Sequence, residues 1–211
     1  MSLLIFEEVG ENNLIISPSC YTIRLALNHM GLTAEFFGVK PSQLKDFNFK
    51  FLPVLKDDKR IIQSGFEVAK YLERNYPLSP TIFGGEAGTY LAKFVDSYVE
   101  DGLYTHLLCF LTEDIVKNLS QEDQNIFLSR VVLGNKSKKE NLFEFNKKLN
   151  PIRLTLKKQE FLFGERPGYV DFLIYGLFSW GETLNGLTLL NRRDALNIWK
   201  NKMGKLNKKA A

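Results

Sequence analysis

A chain of 211 residues with 45% apolar residues, 17 phenylalanines among them, can fill one large core or two smaller ones. Its formal net charge is only +4, and the basic surplus is gathered between Lys200 and Lys209, which argues against a nucleic-acid surface spread over a fold. No apolar run approaches the ~20 residues of a membrane span, the stretch Ser2 to Phe6 is too short for a secretion signal, and two distant cysteines, Cys20 and Cys109, fit a reducing, cytoplasmic compartment.

In chain order, Leu3 to Glu7 is β-rich, Gly10 to Asn13 is a polar loop, Ser17 to Gly31 has a helical pattern and Ala34 to Val39 is strand-like. That order is a β-α-β unit, long enough for a right-handed crossover. The runs Phe51 to Leu55 and Arg60 to Ile62, joined by Lys56-Asp57-Asp58-Lys59, read as a hairpin. Ser64 to Tyr76 reads as a helix, with Ser64 as N-cap and Glu67 completing a capping box. The segment 78–86, with its proline and glycines, reads as a linker between a first domain at 1–77 and a second at 87–211. From Ala87 onward only helical spacing appears: Leu91, Phe94, Val95, Tyr98 and Val99, then Leu107, Leu108 and Phe110. Further helices are expected at Gln121 to Val132, Lys138 to Leu149, Pro151 to Glu160, Tyr169 to Thr183 and Arg192 to Met203. The terminal Lys208-Lys209-Ala210-Ala211 imitates a dilysine retrieval signal, which acts on membrane proteins, and is set aside.

Three short stretches carry potential chemistry. Ser17-Pro18 is a favoured helix start, because serine caps and the missing proline N–H would be unpaired there. Ile16, Cys20, Ile23, Leu27 and Met30 form one apolar stripe, while Ser17, Tyr21, Arg24 and Asn28 form a polar face. Cys20 is therefore expected in the core, and Ser17 at the positive end of the helix, where its hydroxyl either caps or meets a ligand. Pro53 interrupts a strand-like run, which a cis bond after Leu52 or an edge position would accommodate. Gln63-Ser64 places an amide and a hydroxyl at a helix start, where a carboxylate could be gripped.

These three stretches, in this order, resemble the glutathione transferase superfamily over nearly the whole chain. The resemblance implies an α+β, thioredoxin-like N-terminal domain (βαβ-ββα) followed by an all-α C-terminal domain. It further implies glutathione as co-substrate, no metal, a hydrophobic electrophile as second substrate, and a homodimer. Ser17 would activate the glutathione thiol, Leu52 before Pro53 would pair with the cysteinyl backbone, and Gln63 with Ser64 would hold the γ-glutamyl end. Residues 161–176, FLFGERPGYVDFLIYG, look like the family's segment leading into a buried helix, with Asp171 in a structural capping box. Gly168 stands where the family usually has serine or threonine, which should weaken that cap by roughly 0.5–1 kcal/mol.

The S-P-x-x-aromatic-x-x-R-x-A-L-N pattern from Ser17 and the later Phe178-Ser179-Trp180 resemble the fungal FuA and bacterial β-etherase branch. Against that branch, the stretch Lys40 to Lys50 is short, so the second helix of the family should be reduced or absent. Lys40, Lys45 and Lys50 are then the candidates for the glycine carboxylate. Tyr98, Tyr104 and Phe110 are the aromatic candidates for the electrophile site. Serine cannot form the mixed disulfide that a cysteine there would, which favours conjugation, peroxide reduction or ether cleavage. Two other readings stand beside this one: a non-catalytic carrier of glutathione and aromatic ligands, and a glutaredoxin-like reductase using Cys20.

Overall fold

The computed structural model describes residues 3–186 and 189–208, so residues 209–211 of the lysine-alanine end lie outside it. Strand β1 (Leu3–Glu8) runs parallel to β2 (Ala34–Val39) and antiparallel to β3 (Val54–Asp57), which pairs in turn with β4 (Arg60–Gln63). The sheet order is β2-β1-β3-β4, a β-α-β unit extended by a hairpin. Asp57 already pairs with Arg60, so the hairpin turn is Asp58-Lys59, two residues tighter than the sequence suggested, and Asp58 takes the positive φ that such a turn needs.

Helix α1 (Pro18–Met30) returns the chain from β1 to β2 and ends at Gly31 in the left-handed region. Its expected stripe is buried, with Cys20 and Ile23 fully so. A second face is buried too: Pro18 and Thr22 meet Gly176 of α8 (Tyr169–Asn185), and a Cβ on Gly176 would stand 2.8 Å from Thr22 Oγ1. Glycine is what lets the two helices approach. Arg24, on the side read as polar, forks onto the buried carboxylate of Glu7 at 2.7 and 2.5 Å and covers the Phe36 ring.

Among the described residues, no α-helix stands between β2 and β3, in keeping with the shortness of the Lys40 to Lys50 stretch. Residues 40–53 hold one short 3-10 turn, Pro41–Gln43, and the outer face of the sheet is covered instead by side chains of this loop. Phe47 and Phe49 pack on Phe6, with Leu44, Val39 and Val54 beneath.

Helix α2 (Gly65–Asn75) follows β4. The connection to α3 (Glu86–Tyr98) is not an open linker, because Ile82 and Phe83 are buried and Phe83 packs with Phe66 and Tyr169. Glu73 fixes that connection by accepting from Thr81 Oγ1 and Ile82 N. Helix α3 passes through one wide π-helical turn (Val99–Tyr104) into α4 (Thr105–Val116).

Helices α5 (Gln121–Arg130), α6 (Lys138–Lys148) and α7 (Asn150–Leu156) follow α4 and close the C-terminal part together with α8 and α9 (Leu196–Lys208). Ser120 and Ser137 cap α5 and α6 through their hydroxyls. The last helix starts later than expected from Arg192, because the Asp194 carboxylate accepts from Leu196 N and from Arg153 and so sets the first turn.

Asp171 is fully buried and accepts four hydrogen bonds, from Leu162 N, Phe163 N, Gly168 N and Trp199 Nε1. It thereby ties the 161–168 turn and α9 to the start of α8. The expected weakness at Gly168 has a physical reason for existing: a Cβ there would lie 2.5 Å from Phe163 Cγ and 2.9 Å from the Ile82 carbonyl. The space of a serine side chain is taken by the Phe163 ring.

Candidate functional site

The first turns of α1 and α2 come together, with a Cβ on Gly65 falling 3.3 Å from Ser19 Cβ. Both helices thus direct their free N–H groups and positive ends to one place, an arrangement suited to an anion. Beside it opens a cavity of about 260 Å³ lined by Ser17, Leu52, Ser64, Glu8, Tyr104 and Arg130, with Val99, Leu173 and Leu177 as apolar wall.

Ser17 sits at the N-cap with extended backbone, yet its hydroxyl makes no cap hydrogen bond. It lies against the Cys20 sulfur instead. Cys20 itself is fully buried, and burial together with the carboxylates of Glu7 and Glu8 pushes its thiol well above the usual range. That makes it a packing residue and removes the observation a reductase reading would need.

The Leu52–Pro53 bond is cis. The ladder begins only at Val54, so the main chain of Leu52 is outside the sheet pairing, and Leu52 borders the cavity. Ser64 does not form the expected capping box. Its φ of 76° lies in the left-handed region, its side chain makes no cap bond, and it lines the cavity instead. A serine held in that conformation is a feature that clusters at ligand sites. Gln63 spends its carbonyl oxygen on Lys50 N at 2.9 Å, which anchors the loop end next to β4.

The other expected residues scatter. Lys40 lies off the cavity and pairs with Glu11 at 2.7 Å, where Ser42 N also donates to Asp123 of α5. Lys45 and Lys50 are exposed and border no wall of the cavity. Tyr104 does line it, its ring 5.7 Å from Trp180 and its phenol pushed upward by burial. Tyr98 lies off the cavity and donates to the Lys148 carbonyl. Phe110 is buried with Lys138 over its ring. Residues six apart on a helix point in different directions, so Tyr98 and Tyr104 do not share a face, and of the two only Tyr104 borders the cavity.

Glu8 and Arg130 are the residues that sequence reasoning missed. Arg130 Nη2 donates to Glu8 Oε1 at 3.0 Å, across 122 positions of chain. The one local signal was the pair of acidic residues, Glu7 and Glu8, that ends an otherwise apolar strand. Across the cavity, Lys93 pairs with Asp96, which also accepts from the Tyr169 hydroxyl. Among the described residues there is no cluster of three or more His, Cys, Asp or Glu that could hold a metal ion. No described helix is long and apolar enough to cross a membrane.

Residues 107–206 match the family model described as the glutathione S-transferase C-terminal domain. Over the whole chain the fold is similar to that of the glutathione transferase GSTFuA2 of Phanerochaete chrysosporium, with TM-score 0.83, 19% identity, and coverage of 100% of this chain and 99% of that one. GSTFuA3 of the same fungus gives TM-score 0.78 at 17% identity over 99% and 96%. A glutathione S-transferase of Ceriporiopsis subvermispora, solved in complex with glutathione, gives 0.79 at 16% identity over 100% and 98%.

Proposed function

Because the chain has the glutathione transferase fold and carries that family's C-terminal domain over residues 107–206, we propose that it is a glutathione transferase whose Ser17 activates the glutathione thiol. The observation that carries this reading is the convergence of Ser17, Ser64 and Leu52, which precedes cis-Pro53, on one cavity at two helix N-termini. The Ceriporiopsis relative solved with glutathione supports the choice of ligand.

The chemistry follows from the charge. A free cysteine thiol has a pKa of ~8.5, so near neutral pH only a few per cent is thiolate. Lowering it by about two units takes roughly 2.7 kcal/mol of preferential thiolate stabilisation. The Ser17 hydroxyl, uncommitted to capping, donates to sulfur, and the first-turn N–H groups of α1 supply the remainder. Leu52 pairs with the tripeptide main chain, while Ser64 and the α2 N-terminus take the γ-glutamyl carboxylate, with Gln63 behind. The thiolate then attacks a hydrophobic or aromatic electrophile against Tyr104, Val99 and Leu173, in conjugation, peroxide reduction or ether cleavage.

Ser17→Ala should lower kcat/KM toward chlorodinitrobenzene by roughly 10–100-fold, the worth of one hydrogen bond to a charged atom. Unchanged turnover in a folded variant would remove Ser17 from the mechanism.

The outer face of α3 exposes Tyr90, Leu91 and Phe94 at 70%, 67% and 72%, and the loop before β3 exposes Phe51 at 64%. Exposed large apolar side chains of this kind favour a homodimer over a monomer. Sedimentation of wild type against Phe94→Glu tests this, with a monomer expected for the variant. Two free cysteines suit a cytoplasmic, detoxifying enzyme working with reduced glutathione.

A second reading, a non-catalytic glutathione and aromatic-ligand carrier, is favoured by one feature: no lysine of the 40–50 segment lines the cavity. Tight calorimetric binding of glutathione conjugates without turnover would select it.

A further inference from the structure

Resting on the transferase reading above, we propose that Glu8 is the proton donor to an oxygen leaving group, so that the favoured second substrates are those that depart as alkoxide, organic hydroperoxides first among them. Glu8 closes β1, and its carbonyl accepts from Ile16 N at 3.0 Å, which fixes it beside the residue preceding Ser17. Glu8, its side chain 12% exposed, and Ser17 line one cavity, together with Val99, Leu173 and Leu177, whose apolar surface an organic substituent would cover.

The pairing leaves the carboxyl free to act. Arg130 engages Oε1 alone, and among the described residues Oε2 has no hydrogen-bond partner. The charged and titratable groups around Glu8 are Arg130 of α5, Tyr104 of the π-helical turn and Cys20 of α1, while Glu7, its neighbour on the strand, points to the other face and is occupied by Arg24. Glu100, on the same turn as Tyr104, faces the cavity from farther away. Burial raises the Glu8 pKa, the Arg130 charge and hydrogen bond lower it, and burial prevails. The carboxyl therefore keeps its proton to higher pH than an exposed glutamate, as a general acid requires. An ion pair serving only to join β1 to α5 would have no need to border the cavity.

The step balances without a further reagent. Glutathione thiolate attacks the terminal oxygen of the hydroperoxide, an S–O bond forms and the O–O bond breaks. The departing alkoxide takes the Glu8 proton and leaves as an alcohol, and glutathione is oxidised to its sulfenic acid. A second glutathione reduces that acid, giving the disulfide and water. The proton lost when the thiol ionised restores Glu8.

The test compares cumene hydroperoxide with chlorodinitrobenzene, whose chloride leaves without a proton, in wild type and Glu8→Gln. The expected result is a fall of roughly 100-fold or more in the ratio of the hydroperoxide rate to the chloroarene rate. The wild-type hydroperoxide profile should also decline at high pH where the chloroarene profile does not. A ratio preserved within about threefold would overturn the proposal, since general acid catalysis is worth far more than that. So would a wild type that conjugates the chloroarene but leaves hydroperoxide untouched. A wild type inactive on both would instead sink the transferase reading on which this rests.

Arg130→Met gives an independent variant that retains the carboxyl and removes the opposing charge. Its alkaline limb on hydroperoxide should move to higher pH, and an unmoved limb would refute Glu8 as the donor.

Discussion

Replacing Asp171 by asparagine exchanges one carboxylate oxygen for an NH2 group in a site built of donors. Oδ1 accepts from Leu162 N at 2.7 Å and Trp199 Nε1 at 2.8 Å, while Oδ2 accepts from Phe163 N at 3.0 Å and Gly168 N at 3.2 Å. Whichever way the amide turns, two buried N–H groups lose their acceptor and face another donor. At about 1–3 kcal/mol for each unsatisfied group, the loss is about 2–6 kcal/mol. For a chain of this size each kcal/mol lowers Tm by about 2–4 °C, so the melting point should fall by roughly 5–20 °C. Urea unfolding followed by tryptophan fluorescence measures it, Trp199 being a released donor when the NH2 group takes the Oδ1 position. A loss below about 1 kcal/mol would refute the claim that these four bonds hold the 161–168 turn and α9 to α8.

Gly168→Ser restores the residue the family usually has, yet it should destabilise by about 1–3 kcal/mol in thermal melts, because the Cβ would strike Phe163 Cγ at 2.5 Å. Stabilisation would mean that the ring moves aside without cost. Asp194 is raised by burial, but the Arg153 hydrogen bonds and charge outweigh this and hold its carboxyl below the usual range. Its contribution to stability is therefore present above the unfolded carboxylate value of ~3.9 and lost as pH falls through the lower folded value. The urea-midpoint gap between wild type and Arg153→Met should accordingly be wide at neutral pH and narrow below about pH 4, because protonation relieves the charge left unpaired in the variant. A gap independent of pH would show that the pair does not titrate with folding.

The parts of the fold legible in the sequence were those written in local pattern. Alternation and turn residues found the four strands, although the third begins at Val54 rather than Phe51, and Ser17-Pro18 with Gly31 bracketed α1. The proline at 53 marked its own special bond, and the helical stripe put Cys20 inside. What was not legible depends on distant partners. Periodicity marks an apolar face without saying what covers it, so the Leu91 and Phe94 face of α3 reads as core although it is exposed. Tyr98, Tyr104 and Phe110 were grouped as aromatics of one helical stretch, but at six-residue spacing they point different ways, and of the three only Tyr104 borders the cavity. Glu8 and Arg130 meet only through the tertiary fold, as do Lys40 and Glu11. The serine missing at position 168 looks like a defect in one dimension; Phe163 explains it in three.

The central claim is that the cavity at the starts of α1 and α2 ionises the glutathione thiol through Ser17. Titration of bound glutathione by the ultraviolet absorbance of its thiolate, in wild type and in Ser17→Ala, measures this without an electrophile. A wild-type midpoint clearly below the free-thiol value of ~8.5, returning toward it in the alanine variant, is the result expected. A bound thiol that titrates near the free value in wild type, or a lowered midpoint indifferent to the substitution, would contradict it.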